Sequence, residues 1–183
     1  VDLGCGYGDW TARLASIARR VIAVDLSPGF VAQTRARLAG HADARVERAD
    51  VRSFVDYRDA TVIHLGGVLT YVEDRAALEV LTLARHRLAP RGLLHTRDWC
   101  AINLGRPSRQ HRAGIDSFHR TPAQYERLAR RAGLRILEVR RSASIYGEQL
   151  APHPAVRWFP SFLWRLGTSY WTRGSVSFLF ARA

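Results

Sequence analysis

Three glycines spaced two apart, Gly4, Gly6 and Gly8, follow an acid, Asp2, in the opening stretch VDLGCGYGDWT. Glycine serves where φ must be positive, and its missing Cβ lets backbone approach a bulky ligand. The run therefore reads as a ligand-facing turn between the end of a strand and a helix. Two further acids close short apolar runs: Asp25 in VIAVDLS and Asp50 in ERADVRSF. A strand-ending acid at Asp25's distance from such a turn can accept from both hydroxyls of a ribose. Asp50 stands where it could accept from an adenine amino group, with the backbone N–H of Val51 offered to a ring nitrogen. A dinucleotide fingerprint would place glycine where Asp9 stands, and a carboxylate there would repel a pyrophosphate. The frame D-x-G-x-G-x-G instead suits a ligand that has no phosphate and carries a cationic amine, and S-adenosylmethionine is such a molecule.

The elements that must position these groups alternate strand and helix. VDL ends a first strand, and Trp10 to Arg19 reads as a helix with Trp10, Leu14, Ile17 and Ala18 on one face. VIAVD at 21–25 has the continuous apolar character of a strand buried in a parallel sheet. Ser27 and Pro28, an N-cap followed by proline in the first helical position, start a helix through Leu38. ARVERAD (44–50), ATVIHLG (60–66) and GLLHTRD (92–98) supply three more strands. Asp74 to Leu88 is a helix with Ala77, Leu81, Ala84 and Leu88 in one stripe, and Thr121–Pro122 opens another with Tyr125, Leu128, Ala129 and Ala132 inward. LRILEV (134–139) and SVSFLFAR (175–182) are the last strands. Such alternation predicts an α/β fold, a doubly wound and mostly parallel sheet with helices on both faces. Its ligands sit beyond the carboxyl ends of the strands, where the glycines lie.

Composition narrows the field. The chain has 183 residues, 47% of them hydrophobic, which suits one core and a single domain over residues 1–183. It begins at Val1 inside the first strand and holds no methionine, so an N-terminally truncated domain is expected. Two cysteines are too few for a disulfide framework and point to a cytoplasmic setting, and no run reaches the roughly 18 apolar residues of a membrane span. The net charge of +12 would favour nucleic acid as a partner. However, all 28 basic residues are arginine and they are scattered, which fits a solvated surface and a codon bias and makes nucleic acid unlikely as a partner.

On VDLGCGYGDWT, VIAVDLS, ERADVRSF, GGVLTYVED and RTPAQYERLARRAGLRILEV, the chain resembles the class I, Rossmann-like S-adenosylmethionine-dependent methyltransferases of small-molecule type, over nearly its whole length. The resemblance implies a seven-stranded sheet whose last strand is antiparallel. It also implies a cofactor site of Asp2, Gly4, Cys5, Gly6, Gly8, Asp25, Leu26, Asp50, Val51 and Leu65, and no metal. Taken alone, Cys5 reads as a small core residue. One departure is Ala60–Thr61, where the family often has an aspartate before the fourth strand.

Because a sulfonium already activates its methyl group, the protein chiefly has to hold a nucleophile in line behind it, and a general base is optional. Candidates for such a role are His64, Tyr71, His95, Asp98, His111 and His119, with a structural role favoured for the strand residues His64 and His95. Residues 100–120 read as a loop able to form a substrate lid, and 146–173 as an aromatic-rich insertion. The insertion carries Trp158, Phe159, Phe162, Trp164, Tyr170 and Trp171 and could be a cover, an aromatic pocket or an interfacial patch. HLGGVL stands where exocyclic-amine methyltransferases of nucleic acid carry an Asn/Asp-Pro-Pro-aromatic tetrapeptide, and no Pro-Cys pair supplies a nucleophile for cytosine. The expectation is methyl transfer to a small-molecule acceptor, an apolar or sugar-like one if the aromatic insertion forms a pocket. An RNA methyltransferase and a non-catalytic cofactor-binding domain serving a partner are the alternatives.

Overall fold

The computed structural model describes residues 1–102, 106–141 and 173–183. A seven-stranded sheet organises them in the order β3-β2-β1-β4-β5-β9-β8. Its strands are β1 (Asp2–Leu3), β2 (Val21–Asp25), β3 (Ala44–Arg48), β4 (Ala60–Gly66), β5 (Leu88–Ala101), β8 (Leu134–Arg141) and β9 (Arg173–Arg182). β1 to β5 run parallel, and β9, the last strand, lies antiparallel between β5 and β8. Strand order reverses between β1 and β4, which opens a crevice at their carboxyl ends.

Helices cover both faces because β2 is apolar on both. Val24 packs into a core with Leu3, Ile63, Leu65, Leu94, Phe178 and Phe180, lined by α3 (Asp74–Arg87) and α4 (Pro122–Arg131). Its neighbour Ala23 points the other way, into a smaller core with Cys5, Val31, Leu38 and Val46 beneath α2 (Pro28–Arg37). The stripe Ala77, Leu81, Ala84 and Leu88 is buried as its spacing predicts, and so is Tyr125, Leu128, Ala129 and Ala132. Ser27 caps α2, its hydroxyl accepting from the Phe30 N–H. Thr121 and Gln124 form a reciprocal capping box at α4.

Two expectations are corrected. α1 spans only Asp9–Ala15, and its buried residue is Thr11, whereas Ile17 is 84% exposed and Trp10 37%. Polarity sets the inward position: the Thr11 hydroxyl donates to the buried carboxylate of Asp2 at 2.6 Å, while Leu14 is half-buried, Trp10 lies over the rings of His64 and His95, and Ile17 falls beyond the helix end in solvent. The stretch expected to be a loop from 100 to 120 contains a hairpin, β6 (Ser108–Arg112) and β7 (Ile115–His119). Its two-residue turn, Ala113–Gly114, has φ of 51° and 78°, the double positive φ that matches strand twist. Five-residue arms rich in Arg, His, Asp and Ser carry no apolar alternation, so the hairpin left little trace in the sequence. The aromatic insertion at 146–173 lies almost wholly outside the described residues.

Candidate active site

The glycine turn leaves β1 through backbone bonds: the N–H groups of Gly4 and Cys5 both donate to the Val24 carbonyl, at 2.7 and 2.9 Å. φ is +82° at Gly4, +52° at Gly6 and +81° at Gly8. The three glycines serve different ends. A Cβ on Gly4 would collide with Val68, and one on Gly8 would come within 2.8 Å of Thr34 Oγ1, whereas one on Gly6 would meet nothing within 4 Å. Gly4 and Gly8 are thus required by the fold. Gly6 faces open space at the switch point.

Asp25 fastens this turn. One carboxylate oxygen accepts from the Gly6 N–H and the other from the Ser27 N–H, each at 2.9 Å. On the other side the Thr34 hydroxyl donates to the Gly6 carbonyl at 2.9 Å. Cys5 is buried with its sulfur 3.6 Å from Thr34 Oγ1, and burial pushes its thiol up to about 11, as befits a core residue. Asp2 lies beneath the turn; burial raises its carboxyl to about 6 and Oδ1 has no partner among the described residues. Asp50 is paired with the guanidinium of Arg52, which holds its carboxyl below the ordinary range. Val51 is half-buried beside them, Leu26 is exposed, and Leu65 is fully buried.

The histidine candidates separate. His64 and His95 are register partners on β4 and β5, with rings stacked and their Nδ1 atoms 2.9 Å apart. Trp10 lies against both. Burial is the main cause that lowers both, His64 to about 3, so each is neutral and one donates to the other. They pack behind the turn. His111 is exposed on the hairpin, paired with Asp116.

Tyr71 and His119 instead line a cavity of about 730 Å³, together with Trp10, Gly66, Gly67, Thr70, Arg97, Asp98, Trp99 and Arg112. It forms because β5 continues to Ala101 while β4 stops at Gly66, and the β6–β7 hairpin walls the exposed length. The hairpin is anchored there, the Ala101 N–H donating to the Arg120 carbonyl at 2.9 Å. Asp98 is the buried acid of this cavity. Its Oδ1 accepts from the Thr70 N–H at 3.0 Å and the Thr70 hydroxyl at 3.2 Å, and burial raises its carboxyl to about 7. Arg120, buried behind it, donates to Asp74 and to the carbonyls of Leu69 and Val72, and so fixes the 3-10 turn Leu69–Tyr71 on which Thr70 sits. Sequence reasoning missed Arg120, because nothing local separates it from the other arginines.

A glycine cradle at the switch point of a seven-stranded sheet with an antiparallel last strand defines a class I, Rossmann-like S-adenosylmethionine-dependent methyltransferase domain. The open surface at Gly6 fits that cofactor, since an added Cβ there would meet no atom within 4 Å and the Asp25 carboxylate stands beside it. The family model described as a methyltransferase domain matches residues 1–92, and the chain belongs to that family. It is 33% identical over 78 residues to nodulation protein S of Sinorhizobium fredii, an alignment covering 43% of this chain and 36% of the relative. Over 98 residues it is 39% identical to trans-aconitate 2-methyltransferase of Methylobacterium nodulans, covering 51% of this chain and 35% of the relative. These matches thus take in about a third of the length of either relative. The chain also superposes, with a TM-score of 0.74 and 16% identity, on an O-methyltransferase from a trans-AT PKS multienzyme of Brevibacillus brevis solved with S-adenosyl-L-homocysteine. That alignment covers 100% of this chain and 65% of the other and shows the shared fold.

Proposed function

We propose that the protein transfers a methyl group from S-adenosylmethionine to a small-molecule acceptor held in the cavity between the ends of β4 and β5 and the β6–β7 hairpin. The observation that carries this reading is adjacency. Trp10, two residues after the glycine turn, and Gly66 and Gly67 at the end of β4 line the cavity, and Gly4 of the turn packs against Val68, so the half-open cavity lies beside the glycine cradle. When bound, the cofactor supplies an electrophilic methyl group on a sulfonium. The chain's own contribution is then positional. Gly6 leaves backbone room for the methionine part, the remaining lone pairs of Asp25 accept from a ribose, and Leu26, Asp50 and Val51 border an adenine. Arg52 must release Asp50, or share it, for the last of these contacts. The hairpin and Trp10, Tyr71 and Trp99 exclude water and hold the acceptor in line.

The names of the relatives support the acceptor class: one is a methyltransferase acting on trans-aconitate, a small organic acid. No helix among the described residues is long and apolar enough to cross a membrane.

The test is calorimetric titration of S-adenosylhomocysteine into the protein and into Asp25→Ala, followed by label transfer from S-adenosylmethionine to a panel of small hydroxylated, amino and carboxylic acids. Asp25→Ala frees two backbone N–H groups as well as removing the ribose acceptor, and is expected to weaken binding at least about tenfold. Binding that Asp25→Ala leaves unchanged removes the cofactor assignment. Cofactor binding without transfer to any acceptor favours the non-catalytic alternative.

A further inference from the structure

We infer that Asp98 is the group that receives the acceptor, its Oδ2 accepting a hydrogen bond from an acceptor hydroxyl and taking that proton as the methyl is transferred. This rests on the methyltransferase reading and adds to it a residue and a substrate class. Asp98 is 1% exposed and forms part of the wall of the 730 Å³ cavity. One of its oxygens is doubly satisfied by Thr70, whereas Oδ2 has no partner among the described residues. A buried carboxylate oxygen without a donor is costly, and its placement in the wall of a ligand-sized cavity gives the ligand the missing donor.

The surroundings choose the donor. Arg97 and Arg112 line the same cavity, and Arg120 lies behind Asp98 with its guanidinium spent on Asp74, Leu69 and Val72. His119 of β7 also lines the cavity, and Tyr125 of α4 and Cys100 on the same strand interact with the carboxylate. The cationic majority disfavours an ammonium group, so a neutral hydroxyl on a molecule bearing negative charge is the matching acceptor. The chemistry balances. The acceptor's O–H bond breaks as its proton passes to Oδ2, its electron pair forms the O–CH3 bond, and the bond from methyl to sulfur breaks with its pair left on sulfur. A carboxyl raised toward neutrality is suited to this exchange.

The test compares para-hydroxybenzoate with para-methylbenzoate, which share charge and shape and differ in the donor. Binding of each is measured by ligand-observed NMR in the presence of S-adenosylhomocysteine, whose own binding is recorded on the same sample. In the wild type at about pH 8 the hydroxyl compound should bind at least about tenfold more tightly. That preference should shrink as pH falls to about 5.5, where Asp98 is protonated, although the phenol, titrating near 10, does not change. In Asp98→Asn, which keeps an acceptor for Thr70, the preference should no longer vary with pH. Thr70→Val, which loosens the turn but leaves the carboxylate, should keep the pH dependence. Equal binding of the two compounds, no binding of either, or a preference whose pH dependence survives in Asp98→Asn overturns the inference. Failure of S-adenosylhomocysteine to bind would instead overturn the cofactor reading.

Discussion

Adding one methyl group at Gly6 and one at Gly8 should damage two different properties. Both residues have positive φ, so alanine at either position pays roughly 1–2 kcal/mol of backbone strain. At Gly8 the new Cβ also falls 2.8 Å from Thr34 Oγ1 and 3.0 Å from its Cγ2. Thr34 has little freedom to yield, because its hydroxyl donates to the Gly6 carbonyl and receives the Cys5 sulfur. Overpacking of that kind adds about 1–3 kcal/mol, so Gly8→Ala should cost about 2–5 kcal/mol in total. For a chain of this length that lowers Tm by roughly 4–20 °C. At Gly6 no atom lies within 4 Å of the added carbon, so Gly6→Ala should cost only the strain, a few degrees of Tm. Its methyl group, however, enters the space assigned to the cofactor, and S-adenosylhomocysteine affinity should fall at least about tenfold. Thermal unfolding and calorimetric titration on both variants decide the matter. Unchanged affinity in Gly6→Ala would refute the cradle. Equal stability of the two variants would refute the steric distinction between them.

Two further outcomes are expected. Arg120→Ala strands the carbonyls of Leu69 and Val72 and should destabilise the chain by about 3 kcal/mol, with hydrogen exchange rising first in the 3-10 turn; exchange that rises elsewhere first counts against Arg120 as its clamp. The pH dependence of stability has two opposing sources. Asp98 titrates near 7 in the fold against about 4 unfolded, so its contribution is complete below about pH 4 and is lost as pH rises through 7. His64, lowered to about 3, contributes above about pH 6.5 and loses that contribution as pH falls. Asp98→Asn removes the first, so between pH 7 and 4 urea unfolding should show it losing more stability than wild type, by up to about 4 kcal/mol. Parallel pH profiles would show that Asp98 is not buried as a carboxyl.

Most strands and helices and the glycine turn were legible in the sequence because each depends on neighbours a few residues away. Glycine is forced by φ, Ser27–Pro28 and Thr121–Pro122 by the unpaired N–H groups of a helix start, and the Ala77–Leu81–Ala84 stripe by helical period. Asp25 was readable for the same reason, being set by its distance from Gly8 along one strand-helix-strand unit. The acceptor side was not. Ala113–Gly114 was a weak turn signal in polar arms, and only the sheet's register shows that β5 outruns β4 and leaves an edge for the hairpin to wall. α1 misled because its inward position is taken by Thr11, held by a hydrogen bond to an acid nine residues before it, while the helix stops short of Ile17. His64 and His95 meet 31 residues apart, and Asp98 is completed by Thr70 from 28 residues away, across strand pairings that no local pattern encodes. The sequence by itself determined a methyltransferase sheet and where its glycine turn lies. Tertiary structure alone decided which acid and which histidine line the cavity beside that turn, because burial and partnership there are properties of segments distant in the chain.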